Sequence, residues 1–190
     1  MAVLVVGLII FLGLHSLRIV LPSARERMIE RLGEGPFKGV YSVISLIGFA
    51  LIIWGFGLAR AETGVVYETA GSGLRHATEA LMLPALILAV ASALPPGYIR
   101  RVARHPLLIG TILWASAHLL VNGETAAVVL FGAFLVWAVV DLAAQAGRSR
   151  QPGPKPSPAY DIAAVLVGAV LYAALVWRVH EWAFGVSPLA

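Results

Sequence analysis

The chain has 190 residues, of which 59% are hydrophobic and 13% charged, and its mean hydropathy is +0.87. A soluble domain is roughly half apolar and a quarter charged, so this composition excludes one and predicts an integral membrane protein. Fourteen basic against ten acidic side chains leave a net charge of +4, which in a membrane protein marks the cytoplasmic side and not nucleic-acid affinity; with no cysteine there is no disulfide frame, thiolate metal site or thiol nucleophile.

Six apolar runs follow one another, at about 2–21, 39–59, 77–95, 107–123, 125–145 and 160–182. Each is far longer than the ~10 residues of a spanning strand. The predicted fold class is therefore all-α, a polytopic transmembrane bundle of about six helices forming a single domain over 1–190. The first run has no basic residue ahead of it and no small-x-small site at its end, so it reads as a retained span and not a signal peptide. The spans do not align at any fixed offset, which disfavours a transporter built on inverted repeats.

The first connection, Pro22 to Lys38, carries Ser23 and Glu26 in a capping-box spacing. It reads either as a short interfacial helix ended at Gly33 or Gly35-Pro36, or as a solvated basic linker. The second, Arg60 to His76, is the sizeable loop and holds Glu62, Tyr67, Glu68 and a Gly71-Ser72-Gly73 hinge. The fifth, 147–158, contains four prolines and reads as an extended tether. Eleven of the fourteen Lys and Arg lie at the end of the first span or in odd-numbered connections, so the positive-inside rule places both termini on the outer side.

Polar chemistry inside a hydrocarbon-facing run is costly and points to function. His15 lies in the first span and His118 eleven residues into the fourth, roughly 9 Å and 17 Å from the inner boundary at ~1.5 Å per residue. Two imidazoles from facing helices can hold a haem iron; alternatively, each makes an interhelical hydrogen bond. Thr111, Trp114, His118 and Asn122 form one stripe, with Asn122 a partner for His118 at i, i+4. Arg104-His105-Pro106, preceded by Arg100 and Arg101, reads as an anion or ligand site or as a headgroup anchor. His105 cannot share a metal with His118, being about 20 Å away along one helix. His76 and Glu79 share a face and read as a proton-handling pair or an interfacial cap. Pro84 is expected to kink the third span. Asp161 suits the N-terminus of the last span, and Asp141 is a partner for a basic residue such as Arg104. His180, with Arg178, Glu181, Trp177 and Trp182, reads as an aromatic belt with a charged fringe and not as chemistry.

Several of these stretches resemble the NnrU family of bacterial membrane proteins associated with denitrification. They are Phe11-Leu12-Gly13-Leu14-His15-Ser16-Leu17-Arg18, Leu74-Arg75-His76, Arg104-His105-Pro106, Trp114-Ala115-Ser116-Ala117-His118-Leu119 and Asn122-Gly123-Glu124. The family is related to zeta-carotene isomerase, a membrane haem protein. The resemblance implies haem b as cofactor, with His15 and His118 as iron ligands. It also implies a bacterial inner-membrane location with both termini periplasmic, and membrane redox or denitrification proteins as partners. The isomerase's exchangeable cysteine is matched by Ala115, which counts against a ligand-switching mechanism. The Gly97-Tyr98 to Gly110 stretch is similar to isoprenylcysteine and phospholipid methyltransferases, but their acidic pair is missing around Asp141. The expected function is an NnrU-like haem-binding protein. The rivals are a polyene isomerase, an S-adenosylmethionine-dependent methyltransferase and a cofactor-free accessory protein.

Overall fold

The computed structural model describes residues 1–69, 72–146 and 153–189. Gly71 of the expected hinge and residues 147–152 of the expected tether lie outside the described residues. Among the described residues the chain is all-α, with one isolated antiparallel bridge, Val65 to Glu124. Five helices are long and apolar enough to cross a membrane, and a sixth apolar helix, Pro106–Val121, is shorter. This is the architecture that lipid demands, because a helix satisfies its own backbone where no water can. The contacts divide the chain into two compact units, one of residues 1–68 and 123–137, the other of 69–122 and 138–190.

In the first unit, α1 (Ala2–Val20) and α3 (Glu34–Glu62) pack along their lengths. Leu4 lies against Gly55, Gly7 against Ile52 and Phe11 against Gly48, so the two helices are antiparallel. Backbones meet closely here because small residues line the seam. A Cβ on Gly55 would overlap the backbone nitrogen of Leu4, and one on Gly7 would come within 2.7 Å of the Ile52 nitrogen. Leu4 and Ala59 are fully buried at this seam, whereas Ile9, Leu46 and Trp54 lie on the exposed faces, as lipid-facing side chains do.

Helix α2 (Pro22–Leu32) bridges the pair. The expected capping box is not used: Leu21 is the N-cap and Pro22 opens the helix, where its missing N–H costs nothing. Gly33 ends it with φ of 84°, a conformation that disfavours side chains, and α3 starts at the next residue, so Pro36 sits in the first turn of α3. Arg25 stacks over the buried Phe37 ring at 5.6 Å, tying α2 to α3.

The stretch after α3 is clasped to the turn before α7 (Thr125–Ala146). Val66 N–H donates to the Gly123 carbonyl at 2.8 Å, and the Thr125 N–H and hydroxyl both donate to the Gly64 carbonyl, at 2.9 and 2.8 Å. Arg60 and Glu124 form a long, half-exposed ion pair at 3.9 Å, which adds little. A Cβ at Gly123 would strike the Tyr67 carbonyl oxygen. Gly123→Ala is therefore expected to open the clasp, at about 1–3 kcal/mol. Faster proteolysis within 64–68 than in the unsubstituted protein is the expected result, and unchanged cleavage would refute it.

In the second unit, α4 (Ser72–Ala93) packs against α6 (Pro106–Val121) and α8 (Pro158–Ala174). Gly110 meets the Ala85 carbonyl and Gly168 meets Ile87, both within 3 Å of an added Cβ. The Thr78 hydroxyl donates to the Ala117 carbonyl at 2.9 Å, a cross-helix bond in the apolar layer. Pro84 is accommodated inside α4, which runs on to Ala93. Beyond α8 the chain makes a π-helical turn, Leu175–Val179, and ends its helical course in α9 (His180–Phe184).

Candidate functional site

His15 lies in α1 of the first unit. Its Nδ1 is 2.7 Å from the Phe11 carbonyl oxygen. A carbonyl only accepts, so Nδ1 carries the proton and Nε2 is the lone-pair nitrogen. The ring is enclosed by aromatic groups: Phe11 at 4.3 Å, Tyr41 at 5.4 Å and Trp137 edge-on at 6.2 Å. Phe11 in turn contacts Phe49 and Phe134. Two polar atoms of this unit are buried without a hydrogen-bond partner, Trp137 Nε1 and Ser45 Oγ. Ser45 is one turn from Tyr41 and so shares its face of α3. Buried donors left unmatched in an aromatic surround are what a site made for a further molecule presents.

His118 lies in α6 of the second unit and repeats the same device. Its Nδ1 donates to the Trp114 carbonyl at 2.8 Å, which again makes Nε2 the lone-pair nitrogen. Trp114 packs on the ring at 5.3 Å. Asn122 caps the helix and is the partner of His118 that the i, i+4 spacing suggests: its amide donates to the His118 backbone carbonyl at 2.8 Å. The ring stacked near His118 is that of His180, with centroids 6.4 Å apart and planes inclined by 28°. His180 is a residue that the sequence reading set aside. Its Nδ1 donates to the Val186 carbonyl at 2.7 Å, so it shares the tautomer of the other two. No periodicity pointed to it, because the π-helical turn just before it carries an extra residue. That insertion rotates everything downstream by roughly 100° relative to a regular helix.

The Arg104-His105-Pro106 motif has a backbone peculiarity. Arg104 has φ of 59° and ψ of −50°, and the His105 N–H donates to the Ala103 carbonyl at 2.6 Å. This is a γ-turn centred on a positive-φ arginine, a strained arrangement. It breaks α5 (Tyr98–Ala103) from α6, with Pro106 at the first position of the new helix. Arg104 is exposed and His105 half-buried. Arg100 holds the Leu94 carbonyl at 2.6 Å and so shapes the loop. Asn122 stands at the other end of α6, about 25 Å away along the axis, so the structure does not bring Arg104, His105 and Asn122 together. His76 and Glu79 sit one turn apart at the start of α4, the first exposed and the second half-buried.

Asp161 lies in the first turn of α8, as expected, and also serves another helix. Its carboxylate accepts from Tyr98 N–H at 2.8 Å and Ile99 N–H at 2.9 Å, capping α5 from α8. Asp141 is buried and accepts from the Gln145 amide at 2.6 Å, so its partner is Gln145 and not Arg104.

Among the described residues no group of three or more His, Cys, Asp or Glu could hold a metal ion. A bare divalent ion, which needs about four ligands, is poorly served by the described residues. Haem asks the protein for only one or two axial ligands. The imidazoles with a defined lone-pair nitrogen fit that demand.

Residues 3–188 match the family described as NnrU protein. The chain belongs to the NnrU family. No curated protein and no solved structure matches it. The match runs through both units of this NnrU-family chain, and takes in His15, His118 and His180 together.

Proposed function

We propose that this NnrU-family membrane protein binds haem b, with His118 as an iron ligand and His15 the other imidazole that the resemblance assigns to iron. The observation that carries the reading is the matched hydrogen bonding of the two rings. Each donates Nδ1–H to the carbonyl four residues back, at 2.7 and 2.8 Å, which fixes orientation and tautomer and leaves Nε2 as the basic nitrogen. Histidines that ligate metals commonly make this second bond. Bound haem would supply redox or ligand-binding chemistry. The chain's own groups would orient the imidazoles and keep water from them. The proposed setting is the bacterial inner membrane with both termini periplasmic, and the proposed role is in nitrogen-oxide respiration beside membrane redox or denitrification proteins. The loop basicity supports the orientation.

The test is the absorption spectrum of detergent-purified protein from haem-replete cells, oxidised and dithionite-reduced. A Soret band that His118→Ala removes is expected. A colourless preparation would sink the proposal.

A further inference from the structure

The turn from α5 into α6 plays no part in the haem reading, and we infer that Arg101 and Arg104 bind there the phosphodiester of an anionic phospholipid headgroup.

The charge at this turn is unanswered. Neither Arg101 nor Arg104 makes an ion pair among the described residues. Their neighbour Arg100 is committed to the Leu94 carbonyl at 2.6 Å. The aspartates of the second unit are committed as well. Asp161 accepts from the Tyr98 and Ile99 N–H groups, and the buried Asp141 accepts from Gln145. Both free guanidinium groups are exposed, and a guanidinium takes two phosphate oxygens in parallel hydrogen bonds.

The surroundings select a lipid over a soluble phosphate. Tyr98, Arg101 and Val102 stand three and four residues apart and share one face of α5. Tyr98 is 52% exposed, Val102 82%, and Leu107 in the first turn of α6 52%. Bare apolar side chains interleaved with unpaired arginines suit neither water alone nor hydrocarbon alone. They suit the boundary between the two, with Val102 and Leu107 against acyl chains and the guanidinium groups level with the phosphates.

The backbone supplies the positioning. Arg104 is held at φ of 59° and ψ of −50° in the γ-turn between the helices. Glycine would make this turn at lower cost. The arginine is therefore accounted for by its side chain, since strained backbone persists where a residue serves a site.

The experiment titrates full-length protein in neutral detergent with dioleoyl phosphatidylglycerol or dioleoyl phosphatidylcholine and reads bound lipid by native mass spectrometry. A preference for phosphatidylglycerol is expected. Arg101→Gln and Arg104→Gly should each weaken its binding about fivefold, the weight of one basic residue at an anionic lipid surface. Arg27→Gln, which removes an exposed arginine of the first unit, should leave it unchanged. Arg104→Gly also relieves the turn, so its helicity and thermal midpoint in phosphatidylcholine should be no lower than those of the wild type. Should that variant fail to fold, Arg101→Gln decides. Equal binding of the two lipids overturns the inference. So does a loss in Arg27→Gln as large as in the turn variants, which would make net charge the cause. Displacement of phosphatidylglycerol by inorganic phosphate overturns the lipid assignment in favour of a soluble phosphate-bearing ligand.

Discussion

Gly55→Leu is expected to prevent stable packing of α1 on α3, while Gly57→Leu, two residues on, is expected to be nearly neutral. At Gly55 even a Cβ would overlap the Leu4 backbone, with the Val3 carbonyl carbon and the Leu4 Cα both 2.7 Å away. Backbone cannot swing aside as a flexible side chain can, so the helices must separate. At Gly57 nothing lies within 4 Å of the added atom, and leucine would project into open surface among other apolar side chains. Separating the helices would forfeit the close seam that holds Leu4 and Ala59 fully buried. The cost is set at about 3 kcal/mol or more, the upper end for overpacking. Unfolding followed by circular dichroism as denaturing detergent is titrated into mild detergent would measure it. Equal midpoints for the two variants would refute the argument.

The second large effect lies at the α5 cap, where Asp161→Ala and Gly97→Ala are expected to do the same damage. The Asp161 carboxylate takes the N–H groups of both Tyr98 and Ile99, and the carboxylate approaches so closely that a Cβ at Gly97 would overlap it. Hydrogen bonds to an ionised acceptor contribute about 1.5–3 kcal/mol each when shielded and less when exposed. One of these two is exposed, so about 2–3 kcal/mol is expected for the pair of bonds together. Either substitution removes the same interaction. The double variant should therefore cost little more than Asp161→Ala alone, the non-additivity of residues in contact. Amide exchange at Tyr98 and Ile99 would report the loss locally. Additive destabilisation would show that the glycine serves something else.

The spans were legible because their apolar length leaves a chain in lipid no alternative to helix. Their ends were less so. The span expected to start at Ala77 lies in a helix that starts at Ser72, and the one expected at Gly39 in a helix that starts at Glu34. Polar turns extend a helix past the hydrocarbon boundary without changing the apolar pattern. Gly33 was among the expected stops for α2 and is the stop used. The Ser23 capping box was not, because Pro22 fixes the start of the helix one residue earlier.

The site was legible as residue types and not as partners. His15 and His118 stood out because imidazole is rare in lipid, but their hydrogen bonds run to the backbone, which sequence spacing does not display. Asn122 was matched to His118, and the bond runs to that residue's main-chain carbonyl; Asp161 was placed at the N-terminus of its own helix, and its bonds to a different helix had no signal. His180 was hidden by a change of helical pitch, and the only trace of it in the sequence was the histidine itself. The Arg104 γ-turn had no signal either, since arginine does not favour positive φ.

Both compact units are discontinuous in the chain, and this fixes an order of assembly. The first unit waits for residues 123–137, made only after the whole of 69–122. The second waits longer, since α4 has α8 among its packing partners and some sixty residues separate His118 from His180. During synthesis, α4 and α6 must therefore be in the bilayer with part of their packing surface still bare. The stacking of His180 on His118 forms only after translation has passed the π-helical turn.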